Sequence, residues 1–489
     1  MFAAVTSVAL VGVEPRPVRV EVHIGSGGKR FSLVGLPDAS VREAKERVRA
    51  AIAAAGYTFP SRNVIVNLSP ANLPKAGPAY DLPIALGVLT ASGQLKGKPR
   101  PVVALGELAL DGAVRRVVGD LAASLVALDR SEPCVLPVGT SQSASLDGQV
   151  DVVPVATLAE AVSVVLGSPT LHQLEESVEI EATPPDMAEV RGQPAARRAL
   201  EIAAAGGHHL LMTGPPGAGK TMLARTLPGV LPPLSAARRM EVALAWSAAG
   251  LDRGTQSAPP FRAPHHSATL PALVGGGSGV PVPGEVTLAH RGVLFMDELG
   301  EFPVALLDAL RQPVEDGAVT VARKGSSVRF PSRLQLVAAT NPCPCGYLGD
   351  HLVPCRCTPR AVDRYRRRFS GPLLDRIDLR IRVARLDGED LAGPPGEESA
   401  AVRARVVAAR KRQVERGALN AGLERSELDR LEWSPGAVRL LQRSVRSLAL
   451  TARGWDRVRR VAVTVADLDE STVLGEAHVV EALELRGEG

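Results

Sequence analysis

The feature that most constrains this chain is the octapeptide Gly214-Pro215-Pro216-Gly217-Ala218-Gly219-Lys220-Thr221. It fits G-x-x-x-x-G-K-[ST], follows the apolar run His209–Thr213 and precedes helix-forming residues from Met222 to Thr226. A strand, a glycine-rich turn and a helix in that order form a cradle for phosphate. The glycines let backbone N–H groups turn inward, and the helix N-terminus adds its dipole. In such a cradle Lys220 reaches the outer phosphates of ATP and Thr221 ligates Mg²⁺. The alternative, a chance glycine-rich loop, does not account for the strand before it and the helix after it.

Two later runs extend this reading. Val293-Leu294-Phe295-Met296 is an apolar strand that ends in Asp297-Glu298. Asp297 suits Mg²⁺, directly or through water, and Glu298 suits the polarisation of an attacking water. Leu334–Thr340 is a third apolar strand and ends at Asn341, whose amide is placed to sense a γ-phosphate.

The chain has 489 residues, which predicts about two to four domains. Residues 1–170 alternate β-type runs such as Val64–Leu68 with helical ones such as Val41–Ala55. Residues 171–188, acidic and broken by Pro184-Pro185, read as a linker. An α/β pattern fills 189–385, Asp387–Ser399 reads as a loop, and residues 386–489 read as an all-α lid. The apolar start, MFAAVTSVALVGV, lacks a basic leader and a cleavage site, so it reads as a first strand and not a signal peptide. No run of about 18 apolar residues predicts a membrane span.

The net charge is only +5, but it is uneven. Pro359–Arg382 holds eight arginines against three aspartates, Arg403–Arg416 six basic residues against one acid, and Arg439–Arg460 seven against one. Each cluster fits either a solvated helix face or a polyanionic partner. Aromatics are 3% of the chain, so phosphate contacts, not base stacking, would carry nucleic-acid binding.

Of five cysteines, Cys134 stands alone and reads as a small core residue. Cys343, Cys345, Cys355 and Cys357 form C-x-C, nine residues, C-x-C. Four such thiolates can close a structural Zn²⁺ site, although the spacing is tighter than the usual C-x₂₋₄-C. The other reading is a free or redox-labile cluster. His351, between the pairs, reads as a surface residue or a substitute ligand. Cysteines bunched in this way suit a cytoplasmic protein better than a secreted disulfide framework. His265 and His266 have no carboxylate at catalytic spacing and read as structural or interface residues.

The motifs Phe261–Ser267, Ala272–Gly277, Pro283-Gly284-Glu285, Leu288–Glu298, Asn341–Gly346 and Ser370–Asp378 together resemble the ComM/YifB family. Phe31–Asp38 and Asp81–Ala85 extend the resemblance to the start of the chain. These are magnesium-chelatase-like AAA+ proteins. The resemblance implies a Lon-protease-like α+β domain at the N-terminus, a P-loop AAA+ module with a helix-2 insertion, and a helical lid. It makes Asn341 a sensor of the γ-phosphate, and Arg376 and Arg453 the arginines that serve ATP from a neighbour and from the lid. It further implies a hexameric ring of identical subunits, a branch-migration helicase that uses ATP and Mg²⁺ to move single-stranded or branched DNA in homologous recombination or natural transformation. On this reading Arg323 and Lys324, at the tip of a hairpin within Gly317–Phe330, grip phosphates without reading sequence.

Lon-type peptidases use a Ser–Lys dyad. At the serine position of Lys75-Ala76-Gly77-Pro78-Ala79-Tyr80-Asp81 stands Ala79, and the lysine position falls near Leu121 or Ala122. None of these can attack or activate a hydroxyl. A protein-remodelling or chelatase-type ATPase remains the competing expectation.

Overall fold

The computed structural model describes the chain except residues 141–145, 147, 170–171, 174–182, 278–280, 324–325, 370, 448–449 and 487–489. Of Ala39, Arg323, Ser326, Pro372 and Ser447 it describes the backbone only.

The N-terminal part is a 7-stranded mixed sheet. The apolar opening forms the strand Phe2–Val11, paired antiparallel with Glu14–Gly25 so that Val5 lies opposite Val20. Alternation sets the burial: Val18, Val20, Val22 and Ile24 face inward, while Arg19 and His23 between them are exposed. Each such side chain contributes about 1.5–3 kcal/mol when buried. Helix Asp81–Ser92 packs on both strands and is buried along nearly its whole length. Its first residue, Asp81, is held by Arg47 through bonds of 2.6 and 3.1 Å.

The second unit is a 5-stranded sheet ordered Phe261–Arg262, Val293–Met296, Gln335–Thr340, Leu210–Thr213, Leu379–Arg382. Every pairing is parallel. Val293–Met296 and Gln335–Thr340 are buried at every position, as strands covered on both faces must be. Three strands therefore end at one edge of the sheet, at Thr213, Met296 and Thr340. That carboxyl edge is where parallel sheets bind ligands. Between Arg262 and Val293 lie the short helices Leu270–Val274 and Glu285–Leu288. An antiparallel hairpin, Ala318–Arg323 with Ser326–Pro331, precedes the strand that ends at Asn341. Val319, Val321, Val328 and Phe330 anchor it, and Val13 of the N-terminal hairpin packs into the same cluster.

The C-terminal residues are helical, in Ser399–Glu415, Pro435–Ser447, Ala452–Leu468 and Glu476–Glu484. The stretch expected as a loop after Asp387 holds a short helix, Gly388–Ala392. Asp387 accepts the Asp390 N–H at 2.8 Å and so caps it. Most of the expected linker lies outside the described residues. Its end is tied down, because the Met187 N–H donates to Ser399 Oγ at 2.8 Å.

The arginines of 403–416 are neither a solvated face nor a free cationic patch. Arg403 donates to the Gly229 carbonyl at 2.7 Å and Arg410 to the Ala204 carbonyl at 2.8 Å. Arg405 meets Glu201 at 2.5 Å and Arg416 meets Asp467 at 2.9 Å. These bonds fasten helix Ser399–Glu415 to the P-loop module and to its neighbouring helix. Arg459 and Arg460 are spent likewise, on Asp429 and the Leu423 carbonyl, each at 2.7 Å. By contrast Arg360, Arg364, Arg366 and Arg367, on and just after helix Pro359–Arg366, are exposed. No helix among the described residues is long and apolar enough to cross a membrane.

Candidate nucleotide site

Gly214–Thr221 turns from strand Leu210–Thr213 into helix Lys220–Val230. Gly217 and Gly219 have φ of 78° and 86°, a region that a side chain disfavours. The helix has no side-chain cap at its start, which leaves its first N–H groups to the cleft. The cleft has a volume of about 440 Å³ and is lined by loop residues Pro216–Met222 with Asp297, Glu298, Thr340 and Asn341.

Four elements meet there. Lys220 Nζ donates to the Gly214 and Pro215 carbonyls at 2.6 and 2.9 Å and to Asn341 Oδ1 at 3.3 Å. Burial pulls the Lys220 pKa down, while Asp297 and Glu298 pull it back up. Thr221 Oγ1 donates to Asp297 Oδ2 at 2.7 Å. A hydroxyl and a carboxylate in contact are a hard oxygen donor set that fits Mg²⁺. Glu298 has φ 51°, and its N–H donates to Asp297 Oδ1 at 2.9 Å. Its carboxylate is thereby turned out of the strand and into the cleft. The structure thus brings Lys220, Thr221, Asp297, Glu298 and Asn341 together.

It does not bring the two arginines there. Arg376 forms an ion pair with Glu315 and lies near Arg453 and Arg311. Burial first, and then those two cations, lower its pKa. Arg453 is exposed. Neither lines this cleft.

His266, expected as a structural or interface residue, stands beside the site. Its Nδ1 lies 3.8 Å from Glu298 Oε2, so the missing carboxylate is the one on the neighbouring strand. The imidazole lies tilted against that of His265, 4.0 Å between ring centres, and meets Phe302 edge-on at 6.3 Å. The two are brought together because strand Phe261–Arg262 pairs in parallel with Val293–Met296, so the turns that follow them are neighbours.

The four clustered cysteines also converge. Their sulfurs lie within 4.8 Å of one another, with separations of 3.4, 3.7 and 3.6 Å among Cys343, Cys345 and Cys355. A tetrahedron with bonds of about 2.3 Å to the metal has edges of about 3.8 Å, so the donor set fits zinc. The N–H of Tyr347, then that of Arg356, hold the Cys345 thiol down to about 6. His351 is exposed and stands apart from this group. Arg323 contributes only its backbone to the description, and Lys324 lies outside the described residues. In the N-terminal unit, Ala79 and Ala122 share one apolar cluster with Val8, Leu105 and Leu136.

Comparison with known proteins agrees along the chain. Residues 186–391 match the family described as magnesium chelatase, subunit ChlI. Residues 20–139 match subunit ChlI of Mg-chelatase, and 396–486 match its C-terminal region. The protein named YifB of Salmonella typhimurium is 41% identical over 99% of this chain and 97% of its own length. The competence protein ComM of Haemophilus influenzae is 42% identical over the same shares, 99% and 97%. The magnesium-chelatase subunit ChlI of Anabaena variabilis is 27% identical over 26% of this chain and 37% of its own. With full-length relatives at this identity, the P-loop protein described here belongs to the ComM/YifB family of magnesium-chelatase-like AAA+ proteins.

Proposed function

We propose that this protein is an ATP-driven DNA motor, a hexameric ring that moves single-stranded or branched DNA during recombination or the uptake of transforming DNA. The observation that carries the reading is the path from the cleft to a hairpin. Asn341 contacts Lys220 at one end of strand Gln335–Thr340, and hairpin Ala318–Pro331 feeds the other. A change at the γ-phosphate therefore has a direct mechanical route to that hairpin.

The roles follow from the donor set. Lys220 holds the outer phosphates, Thr221 and Asp297 hold Mg²⁺, Glu298 orients water and Asn341 reads the γ-phosphate. Bound Mg²⁺ neutralises charge as it develops on the phosphates. Arg376 of one subunit serves the ATP of the next, and Arg453 serves from the lid. Within this reading, residues 1–170 are a Lon-like fold without its dyad, joined by 171–188 to the module 189–385 and the lid 386–489. Ala79 and Ala122 in an apolar cluster support the loss of protease chemistry. The helix-2 insertion is assigned, on this reading, to the stretch between Arg262 and Val293, which holds helices Leu270–Val274 and Glu285–Leu288. The cysteines hold Zn²⁺, which suits a cytoplasmic protein whose thiols stay reduced.

The hairpin supplies the test. Replacing Arg323 and Lys324 together with alanine should weaken DNA binding and lower the slope of log affinity against log salt by about 2. DNA stimulation of hydrolysis should fall with it. Basal hydrolysis should survive, since Lys220, Thr221, Asp297, Glu298 and Asn341 are left unchanged. Unchanged affinity and slope would remove the hairpin from the DNA path. They would point instead to the exposed arginines of 360–367, the 403–416 cluster being already committed within the protein.

A further inference from the structure

The cysteine loop leaves the sensor and returns to it. Cys343 stands two residues after Asn341 and is fully buried. Gly346 lies directly on the phosphate loop: a Cβ there would sit 2.6 Å from Pro216 Cδ. The loop between the two cysteine pairs is pinned from the far side, where Arg385 Nε donates to Asp350 Oδ2 at 3.2 Å. Just after Cys357, Thr358 caps helix Pro359–Arg366. That helix carries Tyr365, which is 6% exposed. The Tyr365 hydroxyl is 3.2 Å from Thr340 Oγ1 and hydrogen-bonds the backbone of Asn341. Its ring seals against Gly300, two residues past Glu298, where a Cβ would lie 2.4 Å from the hydroxyl.

Sensor, first cysteine pair, second pair, helix and tyrosine therefore form a closed circuit around the end of strand Gln335–Thr340. The four thiolates are the joint that closes it. Opening the joint frees both approaches to Asn341 at once, yet leaves the P-loop strand and helix intact.

We propose that this cysteine loop is a clamp that sets Asn341 against the γ-phosphate, with Tyr365 as a positioning residue. The proposal rests on the zinc reading above. It makes metal occupancy a determinant of turnover, not of nucleotide binding. Zinc supplies the cross-link, and Tyr365 transmits it to the backbone of the sensor.

Full-length Tyr365→Phe and Cys355→Ser/Cys357→Ser proteins test it. Zinc content, affinity for a fluorescent ATP analogue, thermal midpoint, KM and kcat are measured for each. The parent should carry about one zinc per chain. Tyr365→Phe should keep the zinc and the analogue affinity and lose about tenfold in kcat. The double cysteine variant should lose the zinc and show the same split between kcat and binding. Parental kcat in a folded Tyr365→Phe protein that retains zinc would overturn the positioning role, even if the cysteine variant fails to fold. Parental kcat in a folded, zinc-free cysteine variant would overturn the clamp. A parent without zinc, all four thiols titrating freely, would overturn the zinc reading itself and with it the metal's part in the clamp.

Discussion

Glu298→Gln should bind ATP as the parent does and hydrolyse it about 10²–10⁴-fold more slowly. The substitution keeps the size of the side chain, so the unusual backbone at φ 51° is not asked to change. It removes the group that can draw a proton from water. The Mg²⁺ donors, Thr221 and Asp297 at 2.7 Å, are untouched. Loss of one negative charge near Lys220 should if anything ease the approach of phosphate, because Glu298 is one of the two carboxylates that face that ammonium. Single-turnover hydrolysis together with analogue affinity separates the two effects. A variant that hydrolyses at the parental rate would exclude Glu298 from the chemistry. Lys220→Ala has the opposite signature, loss of binding itself. His266→Ala, which removes only a neighbour of the Glu298 carboxylate, should cost less than Glu298→Gln.

Arg376→Ala should reduce hydrolysis by about 10³-fold or more without reducing ATP affinity in proportion. Arg376 does not line the cleft of its own chain, yet it is gathered with Arg453 and Arg311 into a group of three cations, its own ion pair being with Glu315. A finger that acts on the neighbouring subunit reconciles the two facts. The mixed-ring experiment isolates this. An Arg376→Ala subunit keeps an intact P-loop, and a Lys220→Ala subunit keeps an intact finger. Where the first receives its finger from the second, a complete site is rebuilt. Random equal mixing makes roughly a quarter of interfaces complete in a closed heterologous ring. Hydrolysis should therefore recover partly in mixtures of two subunits that are each inactive alone. No recovery at any ratio, with mixed rings verified, would contradict a role in trans.

How much of this was legible beforehand differs by element. The P-loop strand, the Asp297-Glu298 strand and the Asn341 strand were readable because fully buried parallel strands are continuous apolar runs. The two outer strands of the same sheet were not. Phe261–Arg262 is too short to show a period, and Leu-Arg-Ile-Arg at 379–382 looks like part of a basic cluster. Convergence was the harder part. His266 and Glu298 are 32 positions apart in the sequence, and only strand adjacency puts them 3.8 Å apart. The arginines of 403–416 misled for a related reason. Composition cannot distinguish a guanidinium aimed at water from one bonded to the open carbonyls at the ends of other helices, as Arg403 is to Gly229 and Arg410 to Ala204. The cysteine quartet was legible as a metal-ligand set, but its return to the sensor through Tyr365 was not, because that contact is tertiary.

On the proposed function, the cleft around Lys220 and Glu298 drives movement on DNA. The most direct measurement is steady-state ATP hydrolysis by the full chain, without DNA and with single-stranded, duplex or branched DNA, beside Glu298→Gln as the blank. Basal hydrolysis should rise several-fold with single-stranded or branched DNA and vanish in Glu298→Gln. Hydrolysis that depends on Glu298 but is indifferent to every form of DNA would contradict it, and would leave a remodelling ATPase of another kind.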